Sequence, residues 1–166
     1  DQILKTAGYS QANRENQYLC RHLRQKKDMT RHEYTHNDIF EFEAGGSITG
    51  LKVVYHCSEK PYEPGQKVIW ICHALTANSD AQDWWPELVG PGRLFDTEKY
   101  FVVCANMLGS AYGSSGPASI NPETGKPYYF DFPMITVRDI VRANDLVRQH
   151  LGIEHIDFMV GGSIGG

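Results

Sequence analysis

The sequence predicts an α/β fold whose sheet is mostly parallel and opens with an antiparallel hairpin. Three observations predict it. Apolar runs at Val68–Cys72, residues 100–105 and residues 155–160 have strand length and little polar alternation, as strands covered on both faces do. A helix-like stretch opened by Thr136 separates the second run from the third. Ahead of them, two β-rich runs flank a glycine-rich link, and a hairpin followed by alternating core strands and helices becomes a parallel sheet.

Taken in order, residues 1–31 are polar and end in a basic cluster of Arg21, Arg24, Lys26, Lys27 and Arg31. They are expected to form a solvated leader, disordered or with a short amphipathic helix around Tyr18, Leu19 and Leu23. Residues 32–166 are expected to form the N-terminal half of one domain. Ile39 to Glu43 and Leu51 to Cys57 read as the hairpin strands, joined by Ala44-Gly45-Gly46-Ser47-Ile48-Thr49-Gly50. A Gly/Ser/Pro-rich stretch, residues 106–133, is long enough to be functional or disordered. In the predicted helix, Thr136 stands as N-cap with Asp139 at the third helical position. Ile140, Val141, Ala143, Leu146, Val147 and Leu151 supply the apolar face, and Gly152 ends it.

The 166 residues carry a net charge of −4, which gives no electrostatic reason to expect a nucleic-acid partner. No apolar run approaches the ~20 residues that span a bilayer, so no membrane partner is expected and the cytoplasm is the default location. Cys20, Cys57, Cys72 and Cys104 form no C-x-x-C pair; they are expected to be reduced thiols, the last three buried in strands. No histidine–carboxylate set has metal-ligand spacing, so no metal is expected. Gly109, Gly113 and Gly116 fit neither a dinucleotide fingerprint nor a phosphate loop, and Pro127 after Lys126 stands where a phosphate loop needs Ser or Thr. Trp84-Trp85 reads as a packed aromatic corner.

Chemistry concentrates at Gly161-Gly162-Ser163-Ile164-Gly165, which fits G-x-S-x-G behind a buried-type strand. In a nucleophile elbow the serine sits on a sharp, strained turn, and the flanking glycines, here Gly161 and Gly165, let backbone segments approach closely. The alternative is a glycine turn whose serine only satisfies backbone groups. Ser47 lies in a similar-looking run, but Thr49 breaks the spacing and the flanks suggest a hairpin, so it is read as a decoy. A serine nucleophile needs a base, and in the α/β-hydrolase order the acid and histidine follow the serine. All seven histidines (His22, His32, His36, His56, His73, His150 and His155) precede Ser163. The oxyanion hole is expected to use the Ile164 N–H and one from the loop His73-Ala74-Leu75-Thr76. His73 itself reads first as a strand-end histidine with a satisfied hydrogen bond.

Several segments, in this order, resemble the homoserine O-acetyltransferase family: Cys72-His73-Ala74-Leu75-Thr76, Asp83-Trp84-Trp85, Asn106-Met107-Leu108-Gly109-Ser110, Gly113-Ser114-Ser115-Gly116-Pro117, Ile120-Asn121-Pro122, Gly125-Lys126-Pro127-Tyr128, Phe132-Pro133, Thr136-Val137-Arg138-Asp139, Leu151-Gly152-Ile153 and Gly161-Gly162-Ser163-Ile164-Gly165-Gly166. The resemblance covers residues 32–166. It implies the front part of an α/β-hydrolase fold, cut at the nucleophile elbow, from an acyltransferase of methionine biosynthesis. Acetyl-CoA would be co-substrate, homoserine the acceptor, and no cofactor would stay bound. Ser163 matches the acylated nucleophile, and Leu75 and Ile164 match the backbone donors of the oxyanion hole. The family often has methionine where this chain has Ile164. Its catalytic acid, catalytic histidine, homoserine-binding arginine and helical lid would lie beyond Gly166, so the 166 residues alone are expected to be inactive. The full-length protein would be a homodimer. A succinyl donor, a serine acceptor, a plain hydrolase of the same fold or a non-catalytic remnant are the alternatives.

Overall fold

The computed structural model describes residues 27–166; the possible helix around Tyr18, Leu19 and Leu23, and Cys20, lie outside the described residues. Five strands form one sheet: β1 (Met29–Glu41), β2 (Ser47–Ser58), β3 (Val68–Cys72), β4 (Phe101–Ala105) and β5 (Phe158–Gly161), in the spatial order β1-β2-β4-β3-β5. β1 and β2 are the antiparallel hairpin, β2 meets β4 antiparallel, and β3 runs parallel to both β4 and β5. The hairpin turns where Phe42 N–H donates to Gly46 O (3.0 Å) and Gly45 N–H donates to Phe42 O (3.0 Å).

β1 is longer than the sequence suggests. It starts at Met29, inside the segment expected to be leader, and its register with β2 is broken once, between His36 and Ile39. The first part of this strand is polar because it is the outer edge of the sheet. Arg31 pairs with Glu33 (2.7 Å), and the His32 ring stacks on Tyr55, its neighbour across the hairpin, at 5.3 Å. Contacts of this kind, along the strand for Arg31 and across the hairpin for His32, hold an edge that hydrophobic pattern alone does not reveal.

β3 and β4 are apolar throughout because each has cover on both faces. On one side Val68, Trp70, Phe101 and Val103 pack with Ala143, Val147 and Ile153. On the other, Ile69, Ile71, Val102 and Cys104 pack with Met29, Ala81 and Val89, with Trp84 and Trp85 against them. Burying each such aliphatic side chain contributes about 1.5–3 kcal/mol, so these two strands anchor everything attached to their ends. Trp84 and Trp85 do form the expected aromatic corner, their rings 4.7 Å apart and Trp85 6.1 Å from Phe95.

The helices are few. α1 (Ala81–Trp84) is a single turn, and α2 (Val137–His150) is the one long helix among the described residues. The capping box at its start is complete: Asp139 N–H donates to Thr136 Oγ1, and Thr136 N–H donates to Asp139 Oδ2 (2.9 Å). Asp139 also accepts Glu43 N–H (3.0 Å), tying the helix start to the hairpin turn. Burial works to raise its carboxyl, but the amides of Thr136 and Glu43 outweigh that and hold it below the usual range. Of the expected apolar face, Ala143 and Val147 are buried, and Ile140, Leu146 and Leu151 are partly buried. Val141 is 60% exposed and is not part of it. Gly152, with φ +69°, ends the helix as expected.

β5 is shorter than residues 155–160. It stands at the open edge beside β3, with Phe158 and Met159 exposed. The residue before it, Asp157, accepts Val68 N–H through Oδ2 (2.8 Å) and thereby sets the strand's register.

Candidate active site

The parallel strands β3, β4 and β5 bring three loops to one end of the sheet: residues 73–80, residues 106–117, and the turn holding Ser163. Ser163 opens a 3₁₀ turn, Ser163–Gly165, directly after β5. Its φ is +58°, one of only two such values outside glycine among the described residues. A serine in the left-handed region costs on the order of 1–3 kcal/mol and persists only when its surroundings impose it.

Those surroundings are the glycines of the motif. A Cβ on Gly161 would strike the carbonyl of Gly165. A Cβ on Gly165 would strike the Cys72 carbonyl and lie 2.8 Å from His73 O. No L side chain fits at either place. The turn is therefore folded back on its own strand and pressed against the end of β3, and this leaves Ser163 exposed. Gly162, by contrast, has open space where a Cβ would be.

Beside the elbow lies a cavity of 370 Å³, lined by Leu75 and Thr76 from the β3 loop, Met107 to Tyr112 from the β4 loop, Ile140 from α2, and Ile164. The two residues expected to supply oxyanion amides, Leu75 and Ile164, thus meet in one cavity although 89 positions apart.

His73, two residues before Leu75, is fully buried. Its Nδ1 donates to Ala74 O (2.7 Å) and its Nε2 accepts Met107 N–H (3.1 Å). A carbonyl partner on one nitrogen and an amide N–H on the other require the neutral ring with Nδ1 protonated. Burial pushes its pKa down in the same sense, against the pull of the Ala74 carbonyl. The satisfied strand-end reading of His73 is the one the geometry bears out. With both nitrogens engaged it has no lone pair for a serine proton, and no hydrogen bond joins Ser163 to a histidine among the described residues.

Cys72 lies opposite Gly161 in the sheet register, and burial raises its thiol pKa, leaving it protonated and a weak nucleophile. Burial also pushes Cys57 up to about 11 and raises Cys104 further; all three are free thiols. Ser47, the decoy, starts β2 just after the hairpin turn and lies opposite Glu41 of β1.

Sequence reasoning did not single out the residues that join the cavity walls. Asn106 and Tyr112 stand in the long stretch whose pattern assigns neither a role of its own, yet both bridge segments of different origin. Ser114 and Ser115 do similar work further along. Their hydroxyls accept the N–H groups of Val54 (3.0 Å) and Lys52 (2.9 Å), covering the part of β2 that β4 does not reach. The available signal was a polar side chain directly after an all-apolar strand, where a buried amide must find partners.

A family model described as the alpha/beta hydrolase fold matches residues 67–166, more than half of the sequence. The chain belongs to the α/β-hydrolase family. Within that family, the curated homoserine O-acetyltransferase of Trichormus variabilis is 46% identical over 135 residues, covering 81% of this chain and 38% of the relative. A crystal structure of homoserine O-acetyltransferase from Bacillus anthracis superposes with a TM-score of 0.76 at 30% identity, over 84% of this chain and 41% of that one. An esterase structure matches almost as well, with a TM-score of 0.75 at 29% identity, over 82% of this chain and 41% of that one. The resemblance to homoserine O-acetyltransferases drawn from the motifs thus holds at whole-segment level. The chain spans 38–40% of the length of the first curated relatives it matches. No helix of the described residues is long and apolar enough to cross a membrane, and no group of three or more His, Cys, Asp or Glu is placed to hold a metal ion.

Proposed function

We propose that this chain is the nucleophile-bearing part of a homoserine O-acetyltransferase that carries an acetyl group from acetyl-CoA on Ser163 to the homoserine hydroxyl. The observation that carries the reading is the exposed, left-handed Ser163, wedged against the end of β3 by two glycines that admit no side chain.

In the proposed reaction the Ser163 hydroxyl attacks the thioester carbonyl while a base takes its proton. The carbonyl oxygen becomes an oxyanion facing the Leu75 and Ile164 amides; each such donor is worth on the order of 10²–10³ in turnover. Collapse breaks the C–S bond, the thiol leaves with the proton, and the acetyl group stays on Ser163 as an ester. The homoserine hydroxyl then attacks that ester, gives up its proton, and frees the serine, which is protonated again. The 370 Å³ cavity is large enough to hold a short acyl chain, and its Leu75, Met107, Leu108 and Ile164 lining would keep water from the ester, favouring transfer over hydrolysis. His73 is already committed to Ala74 and Met107, so it is not the base; by the resemblance, the base and its acid would follow Ser163 in the sequence. The cytoplasm stays the default location, and a homodimeric full-length enzyme is an expectation from the resemblance.

The structural likeness to an esterase favours a second reading, hydrolysis of a small acyl ester by the same serine. One assay separates the two. The full-length gene product is given acetyl-CoA or succinyl-CoA, with homoserine, serine or no acceptor, and thiol release is followed. Homoserine-dependent release from acetyl-CoA, with an acetyl group found on the Ser163 peptide when the acceptor is withheld, is the expected result. Release independent of any acceptor would support the hydrolase, and succinyl preference would correct the donor.

A further inference from the structure

The walls of the cavity beside the elbow come from two loops that follow different strands, residues 73–80 after β3 and residues 106–112 after β4. One buried side chain is bonded to both. Asn106 is 2% exposed; its Oδ1 accepts Ser79 N–H (2.6 Å) and its Nδ2 donates to Tyr112 O (3.0 Å). Its own N–H donates to Val54 O of β2 (2.8 Å), so the base of the clamp, at the first residue of the β4 loop, is fixed to the sheet. Ser79 is held from its other side by its hydroxyl contact with His56 Nδ1 (2.8 Å). At the rim, the Tyr112 hydroxyl crosses the same gap to donate to Thr76 O (3.3 Å).

The two bonds of Asn106 make opposite demands. Ser79 offers an N–H and needs an acceptor, while Tyr112 offers a carbonyl and needs a donor. A primary amide of this length meets both; a carboxylate has only acceptors, and alanine reaches neither. Leu75 lies between His73, tied to Met107, and Ser79, tied to Asn106. Its segment is thus fastened at both ends to the β4 loop.

We propose that Asn106 is a positioning residue for acyl transfer: it sets the distance between the two loops and so holds the Leu75 amide where the oxyanion develops. The inference rests on Ser163 being the acylated nucleophile, and it assigns a role to a residue that touches neither substrate. Displacement of a donor by about 1 Å costs on the order of 10²-fold in rate. It does so without removing any group that reacts.

The test measures the rate of Ser163 acylation per titrated active site in the full-length protein. Asn106→Ala is expected to lower that rate by about 100-fold. Asn106→Asp matches the native side chain in shape and keeps the acceptor for Ser79, but sets a carboxylate against the Tyr112 carbonyl. Protonation restores the donor, so its rate relative to the parent at the same pH is expected to climb as pH falls. His56 and Asp80 on the Ser79 side and His73 on the Met107 side face the clamp in every variant, so Asn106→Ala, followed over the same pH range, gives their contribution without the introduced carboxylate, and only a rise beyond it counts. A purely structural role would leave the ratio flat. A flat ratio, parental rates per site in the alanine variant, or failure of both variants to fold would each overturn the proposal. Ser163→Ala is the control: if it is acylated like the parent, the underlying reading fails. If it is silent while the Asn106 variants match the parent, only the positioning role fails.

Discussion

Two stretches of this chain begin with the same four letters, Gly-Gly-Ser-Ile, at residues 45–48 and 161–164, and the fold uses them for opposite purposes. In the hairpin the glycines supply torsion. Gly45 and Gly46 take φ of +98° and +84°, and Ser47 simply starts β2. A Cβ on Gly45 would meet nothing, so the constraint there is conformational and local. At the elbow the roles are exchanged. The serine itself takes the left-handed angle, while Gly161 and Gly165 supply space for backbone to touch backbone. Glycine as a hinge is needed wherever a chain reverses; glycine as a gap is needed only where a third segment arrives, here the end of β3.

The largest expected difference between the two stretches is in catalysis. In the full-length protein Ser163→Ala should lower acyl transfer by about 10⁶-fold, as loss of a serine nucleophile does elsewhere. Equal activity in that variant and the parent would end the comparison at once. Next comes Gly165→Ala, whose methyl would collide with the Cys72 and His73 carbonyls. Turnover is expected to drop by about 10²-fold or more through displacement of the elbow. Gly45→Ala, with free space but a positive φ, should leave turnover unchanged and lower unfolding free energy by about 1–2 kcal/mol. If the two glycine variants swapped these effects, the division between gap and hinge would be wrong.

A pH experiment sharpens the same contrast. The Phe42 N–H to Gly46 O bond that closes the hairpin turn is backbone only, and the Asp139 carboxyl that accepts the neighbouring Glu43 N–H is held below the usual carboxylate range. The elbow instead leans on His73, whose buried ring has a pKa below its usual value. Because the folded pKa is the lower one, the unfolded chain takes up the proton first. The His73 contribution is therefore whole above about pH 6.5 and is lost as pH falls from there through the folded value. Hydrogen-exchange protection of the Met107 amide, normalised for intrinsic exchange, should decline over that interval, while protection of the Phe42 amide should hold. His56, also lowered by burial with Asp80 opposing, acts in the same direction on the Ser79 side. The smallest effect is expected for Ser47→Ala, within about 0.5 kcal/mol in stability.

Much of the scaffold was readable in advance because its signals are local. The continuous apolar runs of β3 and β4, the Thr136–Asp139 capping box and the Gly152 stop each depend on residues within a few positions. The errors fell where tertiary setting overrides pattern. β1 runs beyond its apolar pattern because an outer edge strand can be polar and still be held by cross-strand partners such as His32 and Tyr55. Val141 stays exposed because helical spacing says which residues share a side, not how wide a side the sheet will cover.

The candidate site divides in the same way. The sequence by itself determined the elbow, because steric demands on five consecutive residues leave a spacing that can be read directly, and it distinguished Ser163 from Ser47. Only the tertiary structure decided what surrounds that serine: the commitment of His73 to two backbone partners, the meeting of Leu75 with Ile164, and the Asn106 bridge. These are contacts between loops brought together by parallel strands. A hydrogen bond across dozens of residues leaves no periodicity behind, since its partners share no local geometry until the sheet has formed.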